Sequence, residues 1–463
     1  MSTRVEKDAL GEMDIPAGAY YGIHTARSLN NFDVAGRPLP IEIIHAVARL
    51  KRACATANAR LGDLESTKAN AIAAACERVI AGEFDDQFGI DLFQAGSGTS
   101  SNMNINEVLA NIASEQLGGE KGNHTLIHPN DHVNMGQSTN NIIPSSIRLA
   151  AVRLNQALFA KLDRLLASLR LKEREFHDVL KAGRTHLQDA VPITLGQEFG
   201  AYSRAIEKAK SRIESARDSL YELGVGGNAV GTGLNTKAEF RKTIIDELNK
   251  NCDEKFYPAT NGVESTQFLS DIAHYSAAMR LLAGDILKIA NDLRLLSSGP
   301  NTGICEINLP AIEPGSSIMP GKINPSICEA ANMACIQVMG ADHVIGIACA
   351  AGQLELNTHM PVIGANLIDS IGLLTRCCAM LAEKCVAGIT ANTEVCFRNF
   401  NASTGLATIL NPILGYDRTS ELVKESLASK KPIKTLIIEK ELMDKDALNK
   451  LLKNSTGPAN PNS

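Results

Sequence analysis

The strongest constraint on this fold is a helical period that recurs over five long stretches. Apolar residues return every three or four positions from Ser146 to Leu180, Leu195 to Leu223, Leu269 to Leu296, Cys328 to about Ala351, and Val362 to Ala387. A 3.6-residue helix places such positions on one face, so each stretch predicts a long amphipathic helix. The segment AGRTHLQDAVPIT separates the first two, with Gly183 and Pro192 as punctuation. The fourth and fifth stretches are too apolar for a surface position. AANMACIQVMGADHVIGIACAAG is hydrophobic almost all round, which predicts helices buried on several sides. The chain therefore reads as mainly all-α, a bundle of long helices whose central members also pack against other subunits. Residues 1–137 read as a mixed region of short helices and loops, 138–393 as the bundle, and 394–463 as a small helical appendage. The polar tail from Asn454 to Ser463 lacks core-forming residues and reads as disordered.

Composition excludes several classes. A net charge of −5 over 463 residues gives no field for nucleic acid or an anionic membrane, and no basic stripe carries interleaved aromatics. The eleven cysteines show no CxxC pair and no zinc spacing. They read as buried free thiols in a reducing, cytoplasmic setting. The opening MSTRVEKDALGEMDIP has no apolar h-region of a signal peptide. The apolar runs elsewhere read as interrupted well short of the ~20 residues that cross a bilayer.

Four polar segments stand out against this helical background: AGSGTSSNMNINEVLAN (95–111), HPNDHVNMGQSTNN (128–141), AGRTHLQDAVPITLGQEF (182–199) and PGSSIMPGKINPSICEA (314–330). Each precedes a predicted helix, whose N-terminus offers unpaired N–H groups suited to a carboxylate. Singly, each has a bland reading. A lone Ser or Thr is most often a helix cap, and a lone His is usually structural. GSSIMPGK lacks the spacing of a phosphate loop. Together they supply hydroxyl donors, a lysine and a histidine, which coincidence explains poorly.

The stretch from Gly315 to Pro325, GSSIMPGKINP, resembles the signature of the fumarase/aspartase superfamily, in the form found in class II fumarases and aspartases. GTSSNMNINEVLAN, HPNDHVN, GRTHLQDAVPITLGQEF and VGTGLNT are similar to the same two families. The resemblance runs from AYYGIHT near residue 20 to GITAN at 388–392. VEKDALG, Ser100 after Gly-Thr, Thr139 in QSTN, EINLP (306–310), AGQLELN (351–357) and CVAGITAN (385–392) look like aspartase. Gly-Ser-Gly at 96–98, HPND and GRTH are at home in fumarases.

The resemblance implies a three-domain fold with a central five-helix bundle and a homotetramer whose active sites draw on three subunits. It implies a lyase forming fumarate from L-aspartate, or alternatively from L-malate or a substituted aspartate, without metal or organic cofactor. Thr99, Ser138, Thr139 and Ser317 would surround the β-carboxylate, and Lys322, Asn324 and Thr185 would hold the α-carboxylate. Ser316 would be the base, its oxyanion stabilised by backbone N–H groups of the glycine-flanked loop. Asn140 and His186 would face the leaving group, with Glu329 pairing the histidine. His128, Asn130 and Asp131 match a second dicarboxylate site of fumarases. Two departures stand out: Asn141 where both families usually have Asp, and Asn228 where both usually have Thr. Relatives of the superfamily also serve as lens structural proteins, but such a role does not require Ser316, Lys322, Asn324 and His186 together.

Overall fold

The computed structural model describes residues 2–453 and residue 456. The tail expected from Asn454 to Ser463 lies outside the described residues, Thr456 excepted. The chain is mainly α, 63% helical. Its residues sort into two compact units: Met1–Leu158, Ser211–Leu281 and Gln337–Leu374 in the first, and Phe159–Lys210, Leu282–Ile336 and Thr375–Ser463 in the second.

The N-terminal region is more regular than expected. Strands β1 (Thr3–Asp8) and β2 (Gly11–Pro16) form an antiparallel hairpin. After α1 (Ile23–Asn31) come α2 (Ile41–Arg60), α3 (Ser66–Ile80) and α4 (Thr99–Gln116), three helices of 20, 15 and 18 residues. Glu107 on α4 clasps the start of α1. Its carboxylate accepts from the N–H groups of Gly22, His24 and Thr25 and from the Thr25 hydroxyl at 2.6–3.1 Å, which satisfies donors that a helix start leaves unpaired.

The five periodic stretches become α5 (Thr139–Glu175), α6 (Leu195–Arg217), α9 (Ser270–Leu296), α10 (Ser326–Ala350) and α11 (Met360–Lys384). Helix α5 begins seven residues before its apolar period. Thr139, Asn140 and Asn141 are weak helix formers and Pro144 is a breaker. Ser138 nevertheless caps the start: its carbonyl accepts from Ile142 N–H at 3.1 Å and its Oγ from Asn140 N–H at 3.3 Å. Between α6 and α9 lie the short strands β5 (Glu222–Leu223) and β6 (Tyr257–Pro258) and helices α7 (Phe240–Asn249) and α8 (Gly262–Gln267).

Polar pairs tie the long helices laterally within each unit. In the first, Arg148 on α5 meets Asp271 on α9 at 2.6 Å, and Asp342 on α10 accepts from Ser276 and Arg280 of α9 at 2.7 and 2.8 Å. In the second, Tyr202 on α6 donates to Asp292 on α9 at 2.8 Å, and Asn332 on α10 to Asn291 on α9 at the same distance. The break between α5 and α6 is a hairpin, β3 (Leu180–Thr185) against β4 (Gln188–Thr194), with a bulge between Ala182 and Arg184. Strands β7 (Ile307–Asn308) and β8 (Thr390–Ala391) pair nearby in sequence to α12 (Thr393–Ala402). Helices α12, α13 (Ala407–Leu414), α14 (Tyr416–Ser429), α15 (Ile433–Glu439) and α16 (Lys445–Lys453) follow. Phe400, Leu406, Leu410, Ile433, Ile437 and Leu448 form a core of their own there.

Two expectations about the apolar helices are corrected. Ser326–Ala350 and Met360–Gly388 are long and apolar enough, by length and composition, to cross a membrane. Glu329 and Asp342 lie too far apart to interrupt α10 as expected. Nor is α10 buried on several sides within one chain. Only 28% of its most apolar window is buried, and Met333, Ile336 and Ile347 are 67, 59 and 59% exposed. All eleven cysteines are free thiols, nine of them buried, as the sequence implied.

Candidate active site

The expected site residues divide between the two units. The first carries Thr99, Ser138, Thr139 and Asn140; the second carries Thr185, His186, Ser316, Ser317, Lys322, Asn324 and Glu329.

In the first unit two helix starts present hydroxyls. Thr99 opens α4 behind Gly98, which takes φ +85 as the N-cap, and its Oγ1 lies 3.4 Å from Ser97 Oγ. Thr139 opens α5, and its Oγ1 accepts from Asn102 Nδ2 at 3.1 Å. Beside it, two successive asparagines grip two successive carbonyls of the segment after α6. Asn140 Nδ2 donates to Ala229 O at 2.7 Å, and Asn141 Nδ2 donates to Asn228 O. The two departures from the family pattern therefore touch. An aspartate at 141 could not donate to that carbonyl. Asn228 itself sits at φ +59, a left-handed conformation that Asn reaches more readily than β-branched Thr. The same segment is pinned at Gly231, which has φ +90 and would place a Cβ 2.0 Å from the Gly262 carbonyl oxygen. Gly231→Ala is expected to give little soluble folded protein, or a melting temperature lowered by several degrees, by circular dichroism.

In the second unit the site residues sit on a turn and a loop, apart from Glu329 in the first turn of α10. Thr185 and His186 lie at the tip of the β3–β4 hairpin, where Thr185 pairs with Gln188 and His186 and Leu187 take φ +56 and +59. A two-residue turn with both φ positive matches strand twist but usually takes Asn-Gly, so a His-Leu tip stores strain at an exposed position. The hairpin base is held by Glu306, which is 0% exposed and receives a two-pronged bond from Arg184 at 2.7 and 2.9 Å. Lys181 and Asn399 reach the same carboxylate at 3.1 Å each. Burial pushes the Glu306 carboxyl up, but the Arg184 bond and the Lys181 charge outweigh it and hold it below the ordinary range.

The loop from Gly315 to Asn324 is closed on itself. Gly315 N–H donates to Lys322 O at 2.8 Å and Asn324 Nδ2 donates to Gly315 O at 2.8 Å. A Cβ at Gly315 would lie 2.5 Å from that Lys322 oxygen. Inside the clasp, Ser316 Oγ accepts from the N–H groups of Ile318 and Met319 at 3.2 and 3.1 Å. Two backbone donors thus already face the oxygen on which a base would carry negative charge. Ser317 and the Lys322 side chain are exposed. Glu329 lies 3.8 Å from Arg294, and within the described residues His186 makes no hydrogen bond. His128 Nδ1 accepts from the N–H groups of Asn130 and Asp131 at 3.2 and 3.1 Å, so these three residues form a cap.

Sequence reasoning missed Asn102, Asn134 and Lys51, which lie behind Thr139. Lys51 had a signal: it falls four residues after Val47 and before Ala55, on the buried face of α2, where a lysine is rare.

Comparison with known proteins places this arrangement. The lyase family model matches residues 11–340 and the fumarase C C-terminus matches residues 406–455. An aspartate ammonia-lyase from Pseudomonas aeruginosa is 45% identical over 454 residues, 97% of this chain and 96% of its own. A class II fumarate hydratase from Thermosynechococcus vestitus is 44% identical over 438 residues, 94% of each chain. The crystal structure of a fumarate lyase:delta crystallin from Brucella melitensis bound to cobalt superposes with a TM-score of 0.96 at 44% identity, covering 99% of this chain and all of that one. A class II fumarase from Schistosoma mansoni follows at 0.95 and 38%, with 99% of this chain and 100% of its own covered. The chain belongs to the fumarase/aspartase superfamily and is a lyase.

Proposed function

We propose that the protein is an aspartate ammonia-lyase, converting L-aspartate reversibly to fumarate and ammonia through an aci-carboxylate intermediate. The observation that carries the choice of substrate is the fixed carboxamide of Asn140. One N–H of its Nδ2 donates to Ala229 O, which fixes the amide's orientation and leaves Oδ1 as an acceptor and the second N–H as a donor. An ammonium leaving group only donates, whereas a departing hydroxyl must itself receive a proton. Ser316 removes the β-proton. Thr99, Ser138, Thr139 and Ser317 stabilise the charge that develops on the β-carboxylate. Lys322, Asn324 and Thr185 hold the α-carboxylate, and His186 with Glu329 faces the departing group. His128, Asn130 and Asp131 are a second dicarboxylate site only by resemblance.

A second reading, a class II fumarase, draws support from relatives of that name at 44% identity. Absorbance at 240 nm separates the two: fumarate from L-aspartate and not from L-malate supports the first reading, and the reverse supports the second.

We also propose a homotetramer with active sites shared between subunits. Its support is the apolar exposure of α10 at Met333, Ile336 and Ile347, a face that water disfavours. Light scattering should give four times the chain mass of 49.5 kDa; a monomer would contradict the proposal. The functional division is taken as 1–137, 138–393 and 394–463, the last supported by its separate core. A cytoplasmic location is supported by eleven unpaired thiols.

A further inference from the structure

Behind Thr139 lies a charge that the reaction described above leaves unused. Lys51, midway along α2, is 0% exposed. Within the described residues no carboxylate comes within ion-pair distance of it. Its ammonium meets two neutral carboxamides instead, Asn134 Oδ1 at 3.1 Å and Gln137 Oε1 at 3.2 Å. The ionisable groups facing it are two thiols, Cys54 on its own helix and Cys76 on α3, both pushed up to about 12 by burial and so neutral. Burial also pushes Lys51 down to about 8. A buried cation normally keeps a counter-ion; this one has none among the described residues.

A lysine only donates, and that fixes the direction of every bond beyond it. Gln137 turns its Nε2 to Val133 O at 2.9 Å and keeps Oε1 for the ammonium. Asn134 Oδ1 accepts from Lys51 and, at 3.4 Å, from Asn102 Nδ2. Asn102 Nδ2 also donates to Thr139 Oγ1 at 3.1 Å. Thr139 is therefore an acceptor on its buried side, and its own hydroxyl hydrogen is left for another partner. The chain of polarity runs from the lysine to the first residue of α5.

We propose that Lys51 is an electrostatic positioning residue of the lyase reaction, an ammonium kept without a counter-ion so that its partner charge is the substrate carboxylate held at Thr139. The inference rests on the reading of Thr139 as a carboxylate donor. In a poorly screened interior a unit charge acts over several ångströms, and its attraction grows as the carboxylate becomes a dianion. The coupling is reciprocal: a bound carboxylate strengthens the hold of Lys51 on its proton.

Calorimetric titration with succinate tests this at pH 8.5, in two buffers of different ionisation heat, on wild type and Lys51→Gln. Wild type is expected to take up roughly half a proton or more on binding. Lys51→Gln should take up none and bind about tenfold more weakly or worse, while melting no lower than wild type. Wild-type binding without proton uptake overturns the inference alone, and this arm needs no variant to fold. Equal uptake by the variant, or unchanged affinity in a variant that melts lower, also overturns it, since Lys51 is then a structural strut. No succinate binding to wild type at all sinks the carboxylate reading of the site and this inference together.

Discussion

Ser316→Ala is expected to lose about three orders of magnitude in turnover while binding succinate as wild type does. The size follows from removing a positioned base, a loss of ~10²–10⁴-fold. The split between turnover and affinity follows from geometry. Ser316 Oγ is met by the N–H groups of Ile318 and Met319 at 3.2 and 3.1 Å, and those donors gain most when the oxygen carries charge, in the transition state rather than the ground state. The loop does not depend on the hydroxyl for closure, because Gly315 and Asn324 clasp it through Lys322 O and Gly315 O. Steady-state kinetics with a succinate inhibition constant checks both halves. A variant that keeps near-normal turnover would remove Ser316 from the mechanism.

Glu306→Gln is expected to destabilise the second unit by about 3–5 kcal/mol, the cost of removing one partner from a buried ion cluster. The carboxylate is inaccessible to water and shared by Arg184, Lys181 and Asn399. Neutralising it leaves two cations with less compensation, although Lys181 retains Glu198 at 2.8 Å. Because Arg184 belongs to β3, whose far end presents Thr185 and His186, activity should fall together with stability. The pH dependence has a definite sign. The folded carboxyl is held below the ordinary glutamate range, so its contribution is fully present above the unfolded pKa near 4.5 and is lost as pH falls through the lower folded value. Urea melts from pH 7 downward should show the wild-type advantage over Glu306→Gln shrinking below about pH 4.5. An advantage that stays constant to pH 3 would mean the cluster contributes little.

The long helices were legible because a 3.6-residue period depends on burial alone. The stretch read as Leu269 to Leu296 is the helix Ser270–Leu296, and Cys328 to about Ala351 is Ser326–Ala350. What the period does not encode was missed. The β3–β4 hairpin holds Gly183 and Pro192, which read as a break, and its His-Leu tip carries none of the residues that mark such a turn. The start of α5 lies ahead of the period, but the bundle boundary at 138 and the cap reading of its Ser/Thr run located it, and Ser138 caps it there. The exposed face of α10 looks like core in sequence, since apolarity does not say which chain covers it. At the site, Ser316 and its loop were readable from the signature, and the two backbone donors to its oxygen emerged only in three dimensions. The contact between Asn141 and Asn228, 87 positions apart, turns two separate departures into one joint. Glu306 showed only as a family marker within EINLP, and its burial among two cations could not be read from neighbours more than a hundred residues away in sequence.

The most direct test of the central claim is the stoichiometry of products from L-aspartate, followed by proton NMR for fumarate and an enzymatic assay for ammonium. The account predicts the two in equal amounts, at a rate proportional to protein and abolished in Ser316→Ala. No fumarate from L-aspartate, with rapid fumarate formation from L-malate by the same folded preparation, would contradict it.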